Sequence, residues 1–265
     1  SLYGAILNPG CRFFDMRIGQ SVTLTGRCIT KHMASKVNEV VTGQYDHKGE
    51  SIVYGDTDSV YFSAFKTLQK EIKEGVIPWT KDSVVALYDK IADEVNTSFK
   101  SFMTKAFHTP STRGEVIAAG RELVASKGLF ITKKRYAVLY YDKEGKRADV
   151  NGKDGKMKAM GLDLKRSDTP VFVQDFLSEI LYMVLQGKEE KDVLDRISTF
   201  RAEFKAMPGW EKGSPKRANN MTKYTAAEEK AGRANMPGHV RASMNWNRCR
   251  EMYGDKYSVT ITDGA

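Results

Sequence analysis

Seven apolar residues, Val84, Tyr88, Ile91, Val95, Phe99, Phe102 and Ala106, follow one another at steps of three and four along residues 81 to 107. Only an α-helix gathers such positions onto one side, so this stretch is predicted to be a long amphipathic helix whose apolar face other parts of the chain must cover. A less regular stripe, Val22, Cys28, Ile29, Met33, Val37, Val40 and Val41, predicts a second helix over residues 16 to 42, with Asp15 able to cap its start and Gly43 able to stop it. At 265 residues, 41% of them hydrophobic, the chain is long for one domain and comfortable for two.

The remaining pattern divides the chain. "SIVYGDTDSVYF", residues 51 to 62, reads as a hairpin whose polar break separates two apolar, β-branched or aromatic runs. From Arg113 to Tyr141 the runs "GEVIAAG", "GLFIT" and "RYAVLYY" read as strands, and "DKEGKR" as the turn after them. Then "SDTP" offers Thr169 as an N-cap with Pro170 at the first helical position, opening a helix to about Leu185. Another, from about Glu189 to Met207, is expected to bury Val193, Ile197, Phe200 and Phe204. A sheet-plus-helix domain thus gives way near residue 155, at the Gly- and Lys-rich "DVNGKDGKMK", to a helical one, and the fold class is α+β.

Several classes of function are disfavoured by composition. Cys11, Cys28 and Cys249 are odd in number and far apart, which gives neither a disulfide framework nor a C-x-x-C knuckle, and His32, His47, His108 and His239 lack zinc-ligand spacing. No apolar run reaches the roughly 18 to 20 residues that span a bilayer, and "SLYGAILNPG" lacks the charged start of a signal peptide, so the expectation is a cytoplasmic protein with no membrane partner. The formal charge of +9 is concentrated: residues 126 to 170 hold twelve Lys and Arg against six Asp and Glu, and residues 205 to 250 hold ten against three. Two such stretches suit a phosphate backbone, and they suit two solvated lysine-rich surfaces equally well.

The acids of the hairpin are the candidate chemistry. In extended backbone, residues two apart project from the same face, so Asp56 and Asp58 are expected to aim at one spot while Thr57 points away, as a pair able to hold a divalent cation. Asp, Gly, Ser and Thr are also plain turn residues, and a bare D-T-D reads more readily that way. A helix-loop-helix calcium loop is excluded, because Val60 and Tyr61 stand where ligand oxygen and glycine belong.

With its flanks the motif becomes more specific. "YGDTDS" between two strands resembles the motif of family B DNA polymerases, and further segments follow in the family's order: "SLYGA" (1–5), "KKRYA" (133–137), "MGLDLKRSDTP" (160–170), "ANN" (218–220) and "HVR…NR" (239–248). The last two are similar to thumb segments of T-even-type bacteriophage polymerases. The resemblance implies a palm with an antiparallel sheet and packed helices over residues 1–155, of which 1–8 end the fingers helix, then a mainly helical thumb over 156–265 that stops short at its C-terminus. It implies Asp58 and Asp56 as catalytic metal ligands for two Mg²⁺ ions, with Glu115, opening an apolar strand, just behind them. Tyr3 and Thr57 would face the incoming nucleotide, and Lys133, Lys134, Arg135, Tyr136, Arg166, Asn219, Asn220 and Arg241 the DNA. On a strand, "KKRY" would set Lys134 and Tyr136 on one face and Lys133 and Arg135 on the other.

The family's other catalytic aspartate and its triphosphate-binding lysine lie upstream of the point where this sequence starts. The chain therefore reads as part of a phage polymerase working in an infected bacterial cell, either cut short or one subunit of an enzyme encoded in pieces and inactive alone. Its implied partners are primer-template DNA, a deoxynucleoside triphosphate, the remaining exonuclease, palm and fingers segments, and a sliding clamp reached through a C-terminal tail. Two other classes stay open: a non-catalytic nucleic-acid-binding module, and a different palm-like enzyme. A reverse transcriptase would carry adjacent aspartates, whereas here Thr57 separates them.

Overall fold

In the computed structural model, which describes residues 2–166, 169–209, 211–214, 216–224, 236–254 and 259–264, the two striped segments form the long helices. A short α1 (Leu2–Ile6) leads to α2 (Met16–Thr42), where the Asp15 carboxylate accepts the Arg17 N–H at 2.9 Å. Gly43 ends α2 at φ 79°, a left-handed conformation open to glycine, and returns its N–H to Glu39 O. After β1 (Ile52–Asp56), β2 (Ser59–Phe62) and α3 (Gln69–Lys73) comes α4 (Lys81–Phe107). Thr80 and Ser83 cap it reciprocally, each side chain accepting the other's backbone N–H, and His108 stops it at φ 53°. Both helices have the bounds their stripes predict, with Asp15 and Gly43 at the ends of α2 as expected.

Where α2 and α4 pack, Val37, Ile91, Val95 and Phe99 are buried, and Ile52 and Phe62 of the hairpin lie against them. Phe99 and Val95 are each only 1% exposed, so truncating either side chain would leave a cavity costing about 2 to 5 kcal/mol. A second sheet holds β3 (Leu123–Thr132), β4 (Arg135–Lys143), β5 (Lys146–Arg147) and β6 (Lys156–Met160), with β4 central and antiparallel to the other three. From Tyr136 to Asp142 every residue of β4 but Tyr140 is buried, the near-continuous apolar run of a strand covered on both faces. Asp142 is buried with it and is paired by Arg121, which also reaches Asp89 of α4 and so clamps sheet to helix.

Three sequence expectations are corrected here. "GEVIAAG" is no strand: α5 (Ser111–Gly114) ends at Glu115, and irregular chain follows as far as β3. A Cβ on Gly114 would meet Lys100 Cα and O at 3.2 Å, and this close packing on α4 overrides the apolar run's β tendency. "KKRY" is not one strand either, because Thr132 pairs Arg135 and leaves Lys133 and Lys134 as the two-residue turn between β3 and β4, Lys134 at φ 61°. At the other end of β6, Gly161 (φ 64°) lies so near this turn that a Cβ would stand 2.0 Å from Lys134 O. Finally, α6 (Val171–Gln186) begins one residue after Pro170, which accepts the Val173 and Gln174 N–H groups.

The chain divides into two compact units, Ser1–Gly161 with Val184–Gly187, and Leu162–Met183 with Lys188–Ala265. Within the second, α6 and α7 (Glu190–Ala206) form a helical pair around Phe172, Phe176, Phe200 and Phe204, with Phe176 and Phe200 stacked at 3.7 Å. Phe204 remains 36% exposed and no residue of α7 is fully buried, so the burial expected of Val193, Ile197, Phe200 and Phe204 is partial. The last helix, α8 (Gly238–Tyr253), buries Val240. Among the described residues no helix is long and apolar enough to cross a membrane.

Candidate metal and nucleic-acid site

Two hairpin tips meet in the first unit. Asp56 pairs with Ser59, so Thr57 and Asp58 form the two-residue turn of the β1–β2 hairpin. The same-face expectation for Asp56 and Asp58 therefore fails, since Asp58 is in the turn rather than in extended backbone. It holds instead for Tyr54 and Asp56, two apart on β1, where the Tyr54 hydroxyl donates to Asp56 Oδ2 at 3.3 Å. That hydroxyl also accepts the Lys134 backbone N–H at 2.9 Å, and Lys134 Nζ stands 3.9 Å from Asp56 Oδ2. One tyrosine thus ties the acidic hairpin to the basic one.

Beneath the tie lies an aromatic cluster. Tyr54, Tyr61, Phe130 and Tyr136 have ring centroids 5.2 to 6.2 Å apart in every pairing, and Tyr61 donates its hydroxyl to that of Tyr136 at 3.1 Å. Two of these rings come from each hairpin, and contacts of this kind contribute about 0.5 to 1.5 kcal/mol beyond their buried area. Burial, with the Tyr136 hydroxyl beside it, pushes the Tyr61 phenol far above its ordinary range, so the Tyr61 hydroxyl keeps the proton it donates.

The two aspartates differ in what they can still bind. Asp56 Oδ1 accepts the Thr57 N–H at 2.9 Å and the Thr57 hydroxyl at 3.2 Å. The backbone bond from Thr57 does most to hold the Asp56 carboxyl below the usual carboxylate range, partial burial opposes it, and the Thr57 hydroxyl, Lys134 and Tyr54 add to it. Asp58 is exposed, and among the described residues nothing donates to its carboxylate. It lines, with Ser59, Thr30, Met33, Phe99 and Val138, a cleft of about 750 Å³. A free carboxylate beside a half-occupied one fits part of a hard cation's oxygen shell, of which Mg²⁺ takes only one or two carboxylates from protein. Among the described residues no group of three or more His, Cys, Asp and Glu could hold a metal by itself.

The other expected site residues are scattered. Lys133, Lys134 and Arg135 are exposed at the basic tip, whereas Tyr136 is only 8% exposed within the cluster. Glu115, at the end of α5 rather than on a strand, pairs with Lys100 of α4. Tyr3 is partly exposed on α1, and Thr57 occupies the turn with its carbonyl accepting the Thr30 hydroxyl at 2.8 Å. Arg166, Asn219, Asn220 and Arg241 belong to the second unit, Asn220 at φ 59° and Arg241 exposed on α8. Ser167 and Asp168 of the 160–170 segment, and residues 225–235 of the second basic stretch, lie outside the described residues. Sequence reasoning missed Tyr54 and Tyr61 as links, although both lie inside the hairpin motif, and it missed Thr30, which carries no signal at all.

A motif of this kind on an α+β frame belongs to nucleotidyl-transferring polymerases, and the chain is a member of DNA polymerase family B, whose model matches residues 1–231. It is 33% identical over 260 residues to the DNA-directed DNA polymerase of Escherichia phage RB69 and 29% identical over 261 residues to that of Enterobacteria phage T4, covering 94% of this chain in both cases. The catalytic subunit of DNA polymerase delta from Oryza sativa subsp. japonica is 27% identical over 176 residues, 66% of this chain. The chain spans 28% of the length of the two phage enzymes.

Proposed function

We propose that this chain supplies the palm and part of the thumb of a DNA-directed DNA polymerase that adds nucleotides to a primer 3′-hydroxyl, the sequence dividing them near residue 155 and the compact units only after β6, at Gly161. One observation carries the reading: Tyr54 holds an acidic tip (Asp56, Asp58) and a basic tip (Lys133, Lys134, Arg135) side by side, the arrangement needed where a triphosphate and a duplex end converge. Asp58 would be the principal metal ligand and Asp56 a one-oxygen partner, with Tyr3 and Thr57 near the nucleotide. Two Mg²⁺ ions bound there would supply a lowered pKa at the attacking hydroxyl and charge stabilisation of the leaving pyrophosphate. Asp58 keeps its carboxylate exposed towards the cleft, Asp56 is kept ionised by Thr57, and the lysines of the tip attract phosphates. Arg166, Asn219, Asn220 and Arg241 would extend the contact to the duplex from the thumb, with Glu115 behind the metal ligands.

The family resemblance motivates the partners: an upstream palm aspartate and fingers, an exonuclease segment, and a sliding clamp, in the cytoplasm of an infected host. The test is complementation. Mixing the chain with a fragment that carries the upstream aspartate and fingers should give Mg²⁺-dependent primer extension, and the chain alone should bind primer-template DNA with an affinity that falls steeply with salt. Absence of both would overturn the reading. The exposed basic tip also suits a second reading, a DNA-binding module without chemistry. Salt-dependent binding with no extension after complementation would select it.

A further inference from the structure

The turn that presents Asp58 is not one a two-residue hairpin prefers. Such hairpins favour the primed turns, which place a positive φ at the first or at both central residues, and neither Thr57 nor Asp58 adopts one. With negative φ throughout, the peptide between Thr57 and Asp58 has a close alternative: turning it over changes ψ of the first central residue and φ of the second by roughly 150 to 170°, while the flanking angles stay put. Its carbonyl is the Thr57 oxygen, and that oxygen is held from outside. Thr30, on α2 and 27 residues away in sequence, donates its hydroxyl to Thr57 O at 2.8 Å, closer than to its own helix carbonyl, Gly26 O, at 3.0 Å. A helical threonine ordinarily gives its only proton to such a carbonyl, as Thr104 does to Lys100 O. Thr30, Thr57 and Asp58 all line the same cleft.

We propose that Thr30 is a positioning residue, which pins the Thr57–Asp58 peptide so that the Asp58 carboxylate faces the cleft; its purpose rests on the metal-binding reading above. Thr30 touches neither nucleotide nor DNA in this role. It acts through the turn carbonyl, at the tip of a hairpin that among the described residues pairs with no third strand.

Thr30→Val removes the donor at almost constant shape, Thr30→Ser keeps it, and Thr104→Val serves as a control for loss of a helix-internal bond alone. On the isotopically labelled chain, Thr30→Val should shift the Thr57 carbonyl and Asp58 amide resonances, while Thr30→Ser and Thr104→Val leave them near wild type. An unmoved Thr57 carbonyl in Thr30→Val overturns the tie, whatever a metal does. Paramagnetic broadening by Mn²⁺ then tests the purpose. The midpoint for the Asp58 and Ser59 amides should rise about fivefold in Thr30→Val, the worth of one net hydrogen bond, and return in Thr30→Ser. Equal midpoints in wild type and Thr30→Val would overturn the positioning role. A wild-type hairpin that Mn²⁺ never broadens would refute that role together with the metal reading, and the carbonyl shift would still decide the tie.

Discussion

The acidic and basic hairpins reach the same place by different means. The basic one, β3–β4, grows out of a four-stranded sheet in which β4 is buried along most of its length, so its tip is carried by its own sheet. The acidic one has strands of five and four residues and, among the described residues, no third strand, and it is held by side chains from elsewhere. Asn38 of α2, 1% exposed, accepts the Ser51 N–H and hydroxyl at the hairpin's base, while Thr30 holds its tip and Tyr54 joins it to Lys134. A short hairpin on ties can be set to an accurate position, and each tie can be cut singly; a sheet strand offers no such handle.

The largest effect should separate the two acids of the borrowed scaffold. In the complemented enzyme, Asp58→Ala is expected to slow extension by at least roughly 10³-fold, as losing one strong electrostatic stabiliser does. Asp56→Ala should cost less, because three of its hydrogen bonds already serve the turn and Tyr54. Single-turnover rates decide this, and equal losses would mean that the turn bonds of Asp56 matter as much as a free carboxylate.

Next comes the scaffold itself. Asn38→Ala strands the Ser51 N–H and the Gln44 carbonyl that Asn38 serves, and should lower the stability of the first unit by about 2 to 4 kcal/mol in chemical denaturation. A loss below about 0.5 kcal/mol, the scale of ordinary surface changes, would show that the hairpin's base needs no external tie. At the basic tip the expectation is different in kind. Lys134→Ala should leave stability almost unchanged, since its ion pair with Asp56 is long and exposed, and weaken primer-template binding by about 1 to 3 kcal/mol in fluorescence anisotropy. Unchanged affinity would return the tip to a solubilising turn.

How much of this was legible follows from the same contrast. The bounds of α2 are visible because caps and stripe coincide at Asp15 and Gly43, and those of α4 because the Val84-to-Ala106 series is regular. The acidic motif is visible because its residues are local. The turn at Lys133–Lys134 is hidden, since it uses a lysine at φ 61° where glycine or asparagine would have announced it. Glu115 was misplaced because the packing of Gly114 on α4 is a tertiary fact that no window of sequence contains. Thr30 and Asn38 look like any polar helix residues until β1 and β2 fold against them.

The smallest effect tests whether only the borrowed scaffold senses pH. His32 of α2 is buried between Tyr45, on the segment leading to β1, and Ser98 of α4, with its ring stacked on Phe102 at 3.9 Å. Ser98 gives its hydroxyl proton to Val95 O, so its oxygen accepts the His32 Nε2 proton, and Nδ1 is left to accept from the Tyr45 hydroxyl at 2.7 Å. Burial, with the Lys36 charge acting the same way and Glu39 opposing it, holds His32 below its ordinary pKa. A native histidine that resists protonation makes the unfolded chain the better proton binder as pH falls. Its contribution is therefore complete above the unfolded pKa of about 6.5 and declines as pH drops below that towards the folded value. Hydrogen exchange at the Ser51 amide, compared at pH 7.5 and pH 5.5 after correction for intrinsic rates, should show protection lost on acidification. Exchange at Val138 of β4 should keep most of its protection, and His32→Asn should flatten the difference at Ser51. Equal acid sensitivity at Ser51 and Val138 would show that the two hairpins unfold as one unit, and the contrast between borrowed and built-in support would fail.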